Sequence, residues 1–504
     1  MTSDLHWVIP NSIDLDKLLE KDWPSFLGKK VANQDNFYYV IDYILEKSLT
    51  EDLSQTLGYV ELYSADLQKN MAHNYKDYLT YLIKHHILER APWEYSKSDP
   101  ENNIKGKCFG FRLGFKYENF QDLKKVKILG AVHKKKRKNR IKTFLEEQAD
   151  IKKKYHSFTK WFELLEIDMD GCNRWIDSTP DYQLPMGGIR GYRKGKAKKP
   201  LKRIKALYSI ERIHLKNFHF TLDDSVGRFH SNLTNLKSEL RNYLTWNGHK
   251  LVSVDIKNSQ PLLSLLLFRS DWYSTSSSYL SIFQFPLIPN PLISKSNPNG
   301  LIDSIPPTSP LHFFVYYMLE EFSLSIEYQD IKEYKRVVES GNFYREMHKL
   351  IFSDHATFDK AKMKEVIFQV FYSDNRFFHQ DGTFYDKKTK SWPDAEPKRL
   401  FEKAFPFVYK VFFAYKTIDN SFLPRLLQQI ESTLILKHIV PRIASERPDL
   451  PIFTIHDSVV TLAGDEGYVE QVMREEIMRL TGLTPKFGIE RWEPQYQSDE
   501  NVTE

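Results

Sequence analysis

The sequence predicts an α+β fold with a small antiparallel sheet, on three observations. "KLVSVDI", Lys250 to Ile256, alternates Val252, Val254 and Ile256 on one face, the period-two pattern of a half-buried strand. "PIFTIHDSVVTL", Pro451 to Leu462, holds two strand-forming runs and reads as a hairpin. Between them helical periodicity dominates, at roughly 311–325, 329–352, 359–373, 396–417 and 422–445. A helix at 466–482 and a last strand, "KFGIERW", follow the hairpin. Strands at both ends of a long helical insertion define the class.

The chain has 504 residues, enough for a sizeable core and more than one domain. Its two cysteines, Cys108 and Cys172, form neither a disulfide scaffold nor a metal cluster, which points to a reducing, cytoplasmic setting. The N-terminus lacks an apolar stretch of signal-peptide length. The longest uncharged run, Trp272 to Ser294, is broken by Pro286, Pro289 and Pro291. No membrane partner is expected. The net charge of +6 is unevenly spread, with "KKKRKNRIK" at 134–142 and "RKGKAKKPLKRIK" at 193–205. Acid-free blocks of this density suit a polyanion, for which nucleic acid is the first candidate and a solvated basic face the bland alternative.

Within 35–88 the chain reads as short helices, the best of them carrying Tyr78, Leu79, Leu82 and Ile83 at helical spacing. Two strand-like runs follow, "RAPWEYS" and "GKCFGFRLGF", separated by a polar loop. Helices followed by a basic-aromatic hairpin resemble a winged helix, a DNA-binding variant of helix-turn-helix, with a plain helical subdomain as the other reading. A long amphipathic helix is expected over about 140–167, and a basic linker over 187–205. A strand is expected at "FHFTL", and a Pro/Ser-rich insertion over about 272–310. The division expected is 1–120 helical or winged-helix-like, 121–226 basic and helical with a linker, and 227–504 for the α+β domain.

Two aspartates stand out. Asp255 lies where its strand ends, off the Val252–Val254–Ile256 face, and Asp457 interrupts the hairpin, where strand propensity disfavours it. Buried unpaired carboxylates are costly, so two of them on a small sheet need a cation. Two hard oxygen ligands with few acidic neighbours suit Mg²⁺ shared with substrate phosphates, the two-ion device for phosphoryl transfer. Between the aspartates, Lys360, Lys364, Phe368 and Tyr372 recur every four residues along one helix face. Two ammonium groups followed by two rings suit a nucleoside triphosphate, although such a stripe is also an ordinary amphipathic face.

In this order the motifs resemble the palm and fingers of family A DNA polymerases, with single-subunit RNA polymerases as cousins. The family's first motif reads Asp-Tyr-Ser-Gln-Ile-Glu, where this chain has Asp255-Ile256-Lys257-Asn258-Ser259-Gln260. Its helix opens with Arg and closes with Tyr-Gly, where this chain has Lys360 and Tyr372-Ser373. Its third motif, His-Asp-Glu in DNA enzymes and His-Asp-Ser in RNA enzymes, is His456-Asp457-Ser458. "GRFHSNLTNLKSELR", 227–241, is similar to the Gly-Arg-Leu segment whose arginine, Arg228 here, touches the primer end. "RLLQQIESTLILK" resembles the duplex-contacting helix, with Gln429 at the glutamine position and Arg425 one turn earlier.

The resemblance covers about 227–490. It implies a right-hand polymerase: a palm with the small antiparallel sheet, helical fingers and a helical thumb. It implies a template-directed DNA polymerase that adds dNTPs to a primer 3′-hydroxyl on a DNA primer/template; joined to a DNA-binding module, such an enzyme would suit a phage, plasmid or other mobile element. Asp255 and Asp457 would hold two Mg²⁺, and Lys360, Lys364, Phe368, Tyr372 and Gln260 would bind the nucleotide. Lys364 would also serve catalysis, and His456 would orient the primer end unless it is a packing histidine. Gln260, close to glutamate in size, would keep the wall against a 2′-hydroxyl. The alternatives are a single-subunit RNA polymerase and a non-catalytic nucleic-acid-binding replication protein. No oligomeric state is implied.

Overall fold

Chain contacts divide the protein into two compact units, each with its own sheets: 1–150, 167–217 and 236–243 form the first, and 151–166, 218–235 and 244–504 the second. The computed structural model describes residues 5–20, 33–50, 58–71, 74–97, 108–114, 123–180, 199–274, 277–285, 329–352, 358–373 and 395–494, with 53, 106, 117 and 375 singly. Most of the Pro/Ser-rich insertion, the helix expected at 311–325 and the linker residues 187–198 lie outside them.

The first unit runs β1 (His6–Pro10), α1 (Gln34–Thr50), β2 (Val60–Glu61), α2 (Ser64–Met71), α3 (Tyr75–Lys84), β3 (Leu88–Arg90), β4 (Gly110–Leu113), β5 (Leu123–Lys127), α4 (Ala131–Lys154), α5 (Met169–Ser178) and α6 (Lys199–His214). Strand β1 pairs antiparallel with β5, and β2, β4 and β3 form an antiparallel sheet in that order. Helix α1 carries the core, with Phe37, Val40, Ile41 and Ile44 buried at helical spacing against Tyr81 and Leu82 of α3. Each such side chain contributes about 1.5–3 kcal/mol of transfer free energy. The helix expected over 140–167 instead begins at Ala131 and ends at Lys154, so the 134–142 basic block is helical throughout. Its start is fixed by His133, buried, with Nε2 2.9 Å from Asn36 Oδ1. Of the second basic block, Lys199 to Lys205 begin helix α6 and do not form a linker.

The second unit comprises β6 (Leu165–Ile167), β7 (Thr221–Leu222), β8 (Phe229–His230), β9 (Leu244–Trp246), β10 (His249–Ile256), α7 (Ser259–Ser264), α8 (Gln329–Glu339), α9 (Phe343–Phe352), α10 (Lys360–Tyr372), α11 (Ala395–Ala404), α12 (Pro406–Ile418), α13 (Phe422–Thr433), α14 (Val440–Glu446), β11 (Phe453–Ile455), β12 (Ser458–Leu462), α15 (Glu466–Thr481) and β13 (Phe487–Arg491). Phe158 and Phe162, expected in the long helix, leave it to join an aromatic cluster with Phe220, Phe229 and Phe453. The expected strand 218–222 shortens to β7, paired with β8.

Strand β10 is central: β12 pairs along one edge from Leu251 to Asp255, and β13 along the other from Val252 to Ile256. Leu251 and Ser253 are buried along with Val252 and Val254, so the strand is covered on both faces and not only on the expected one. The helix expected at 329–352 splits at Gly341, whose φ of 80° favours glycine. The one expected at 396–417 splits at Phe405, because Pro406 lacks the N–H a continuing helix needs and instead starts α12. Between α13 and α14 the backbone widens to π-helical over Leu434–Ile439.

Candidate active site

The end of β10 and the β11–β12 hairpin meet because the sheet pairs Asp255 with Ser458. Ile455 also pairs with Ser458, so His456 and Asp457 form a two-residue loop. Such loops need a positive φ, usually from Gly or Asn. Here His456 adopts it, with φ 54°. Asn258, just past β10, does the same at 55°. A left-handed non-glycine residue costs about 1–2 kcal/mol, less for Asn or His, so both aspartates sit beside stored backbone strain. Ser458 Oγ donates to Ile455 O at 2.8 Å and so staples the hairpin.

A cavity of about 820 Å³ opens over these two carboxylates. Burial raises the pKa of Asp255 well above the carboxylate range, and Asp457, Glu490 and Glu431 add to it. Burial raises Asp457 as well, against the pull of its own backbone N–H and of Arg228. A third acid, absent from the sequence expectations, is Glu431 of α13. Its side chain is 2% exposed and accepts Arg228 Nε at 3.1 Å, Nη2 at 2.5 Å and Ser259 Oγ at 3.2 Å. Burial and Asp457 raise its pKa too.

The opposite wall is α10. Asp359 caps its start, accepting from Ala361 N at 2.9 Å and Lys362 N at 3.1 Å, worth about 1 kcal/mol. Lys416, 1% exposed, donates Nζ to Val370 O at 2.8 Å and Ser373 O at 3.2 Å, placing a cation where the helix dipole is negative. Lys360 and Lys364 line the cavity, the latter with Nζ 5.9 Å from the Tyr344 ring centre. Phe368, 60% exposed, stacks on Tyr372 at 4.6 Å and 19°. The Tyr372 hydroxyl donates to Gln260 Oε1.

The cavity thus gathers Arg228, Asp255, Gln260, Lys360, Lys364, Phe368, Tyr372, His456 and Asp457. Arg425 and Gln429 do not line it: Arg425 pairs with Asp419 at 3.4 Å, and Gln429 Nε2 donates to Ser225 O at 2.9 Å. His456 stands edge-on to His230 at 5.7 Å. Beyond Glu431, sequence reasoning missed Tyr344 and Arg345, which enter the cavity at the start of α9. Glu431 left one signal, an acid among Leu427, Ile430 and Leu434 on an apolar helix face.

No family model matches the chain, and no curated protein does. Among solved structures it is similar to the POL domain of Pol1 from M. smegmatis, in complex with DNA primer-template and dNTP. The likeness has 14% identity and a TM-score of 0.23, over 70% of this chain and 66% of that one.

The chemistry is carried by the donor set. Among the described residues no group of three or more His, Cys, Asp or Glu side chains is arranged to hold a metal ion. Two carboxylates whose pKa values burial raises, Asp255 further through Asp457, do fit a hard divalent cation that takes its remaining oxygens from a ligand, since the cation would offset the negative charge that burial disfavours. No helix is long and apolar enough to cross a membrane among the described residues.

Proposed function

We propose that the protein is a template-directed nucleotidyltransferase of the family A polymerase kind, extending a primer 3′-hydroxyl with deoxynucleotides. One observation supports this most: the Asp255–Asp457 pair faces a helix whose lysines and stacked rings line the same cavity. Two Mg²⁺ held by Asp255 and Asp457 would supply charge stabilisation of the attacking and leaving oxygens. The remaining roles belong to the chain. Lys360 and Lys364 pair with the triphosphate, and Phe368 and Tyr372 offer faces to base and sugar. Gln260, held by the Tyr372 hydroxyl, walls off a 2′-hydroxyl. Glu431 occupies Nε and Nη2 of Arg228, which directs Nη1 to the primer end. Arg425 and Gln429 meet the duplex outside the cavity, and His456 orients the primer terminus.

The right-hand assignment takes the sheet around β10 as palm and α8–α12 as fingers, within a division at 1–120, 121–226 and 227–504. For the first segment, the antiparallel order β2-β4-β3 beside α1, α2 and α3 supports a winged-helix reading. Lys76, Thr80 and Lys84 are exposed at four-residue intervals on α3, as a DNA-facing helix requires.

Extension of primed DNA with Mg²⁺ and dNTPs tests the proposal. Asp457→Asn should keep DNA binding and lower extension by at least about a hundredfold. Near-normal extension by this variant, or none by the wild type, would sink it. Preference for rNTPs would favour the RNA-polymerase alternative, and DNA binding without any extension the non-catalytic one.

A further inference from the structure

A second cavity, of about 420 Å³, lies in the first unit between β1, α1, α2 and α4. Its volume falls in the range of about 300–1,000 Å³ usual for small-ligand sites. The floor is aromatic. Trp7 stands edge-on to Tyr39 at 5.9 Å, and Tyr43, one turn along α1, is 6.0 Å from Tyr39. Trp7 is held in advance of any ligand. Trp7 Nε1 donates to Asp35 Oδ1 at 2.8 Å, and His133 packs on its edge at 5.4 Å.

The rim is basic. Lys136, Arg137 and Arg140 come from one face of α4, and Lys69 from α2, against one rim carboxylate, Asp66. Asp42 and Glu46 hold Arg137 and Arg140 from behind, at 3.2 and 2.6 Å, so these two guanidiniums fix the wall more than they add charge. Lys69 and Lys136 differ. Lys136 Nζ donates to the Lys69 carbonyl, and burial and then the Lys69 ammonium lower its pKa. An anion between these ammonium groups would offset their repulsion.

We propose that this cavity binds one unpaired nucleotide, its base on the Tyr39–Tyr43 floor and its phosphate at Lys69 and Lys136. A paired base within a duplex offers no open ring face, so the ligand is free mononucleotide or a nucleotide of a single strand. The site is separate from the cavity over Asp255 and Asp457 and does not depend on the function proposed for that cavity.

The test uses the full chain and a short, fluorescent oligothymidylate carrying one 5-iodouracil, irradiated and mapped by peptide mass spectrometry. Crosslinks are expected at Tyr39 or Tyr43. Tyr43→Ala should weaken the oligonucleotide about tenfold, and Lys69→Gln should lessen its salt slope by about 0.7, one phosphate contact on a single strand. Lys69 is exposed, so its variant folds whatever the fate of Tyr43→Ala. Displacement by excess dTMP would identify a mononucleotide site, and displacement only by unlabelled oligonucleotide a strand site. Crosslinks confined to the second unit, or both variants binding like the wild type, would overturn the proposal and leave the rings to a protein side chain. Primer extension, measured alongside, reports on the other cavity alone.

Discussion

Arg228→Met tests the charge arrangement beneath the candidate active site. Glu431 is almost wholly buried and takes two N–H bonds from Arg228, whose own side chain is 18% exposed. Removing one partner from a buried pair costs about 3–5 kcal/mol, because the other charge is left without compensation. Met keeps much of the arginine stem, so lost packing contributes little. Glu431 can escape part of the cost by taking up a proton, since burial and Asp457 already raise its pKa to about 7, against Arg228 and then the Ser259 hydroxyl, which lower it. The folded variant then holds a proton that the unfolded chain releases. Stability is therefore greatest in acid, below the unfolded pKa, and is lost as pH rises through the folded one. The slope is at most about 1.4 kcal/mol per pH unit for one proton. Urea unfolding of wild type and variant across about pH 5 to 9 should show their difference flat below about 7, where the wild-type carboxyl is itself protonated, and widening above it. Arg228→Met with Glu431→Gln should recover most of the loss, since neither charge remains to be orphaned. A variant curve parallel to the wild type at every pH would refute the reasoning.

Lys416→Met should cost about 2–4 kcal/mol, two charge-assisted bonds and a helix-terminal cation, read by thermal or urea unfolding. Lys364→Ala should slow incorporation and weaken nucleotide binding by about tenfold, whereas Lys362→Ala, whose Nζ lies 4.5 Å over Phe352, should not; single-turnover kinetics distinguish them. Gln260→Ala removes the acceptor of the Tyr372 hydroxyl and should raise GTP use relative to dGTP in direct competition. In the first unit, replacing Lys134, Lys135 and Lys138 with Gln should lower the salt slope of duplex binding by up to about 0.9 per contact without destabilising the fold. Arg137→Gln should instead destabilise, because Arg137 pairs with the buried Asp42.

What was legible in the sequence follows how local the cause is. Alternation marked β10, two β-branched runs marked β11 and β12, and four-residue spacing put Lys360 to Tyr372 on one helix. Each depends on neighbours within a few residues. Long-range causes were not legible. Glu431 meets Arg228 across 203 positions, and nothing near either residue announces the other. The helix expected at 140–167 failed for a related reason. Its apolar positions are real, but Phe158 and Phe162 serve an aromatic cluster whose other members lie beyond residue 217. Tertiary packing outbid periodicity there. Buried Lys416 was equally hidden, since a lysine within a helix ordinarily reaches solvent.

The turn at His456 separates two kinds of selection on this chain. A glycine would relax the φ of 54° and return at most about 1 kcal/mol, less its own greater loss of chain entropy, so a library screened only for heat resistance should tolerate or favour His456→Gly. Valine, isoleucine or threonine should vanish from any library, because a branched side chain fits that backbone worst. What a functional screen retains there, against that thermal gradient, measures how much the imidazole itself is worth.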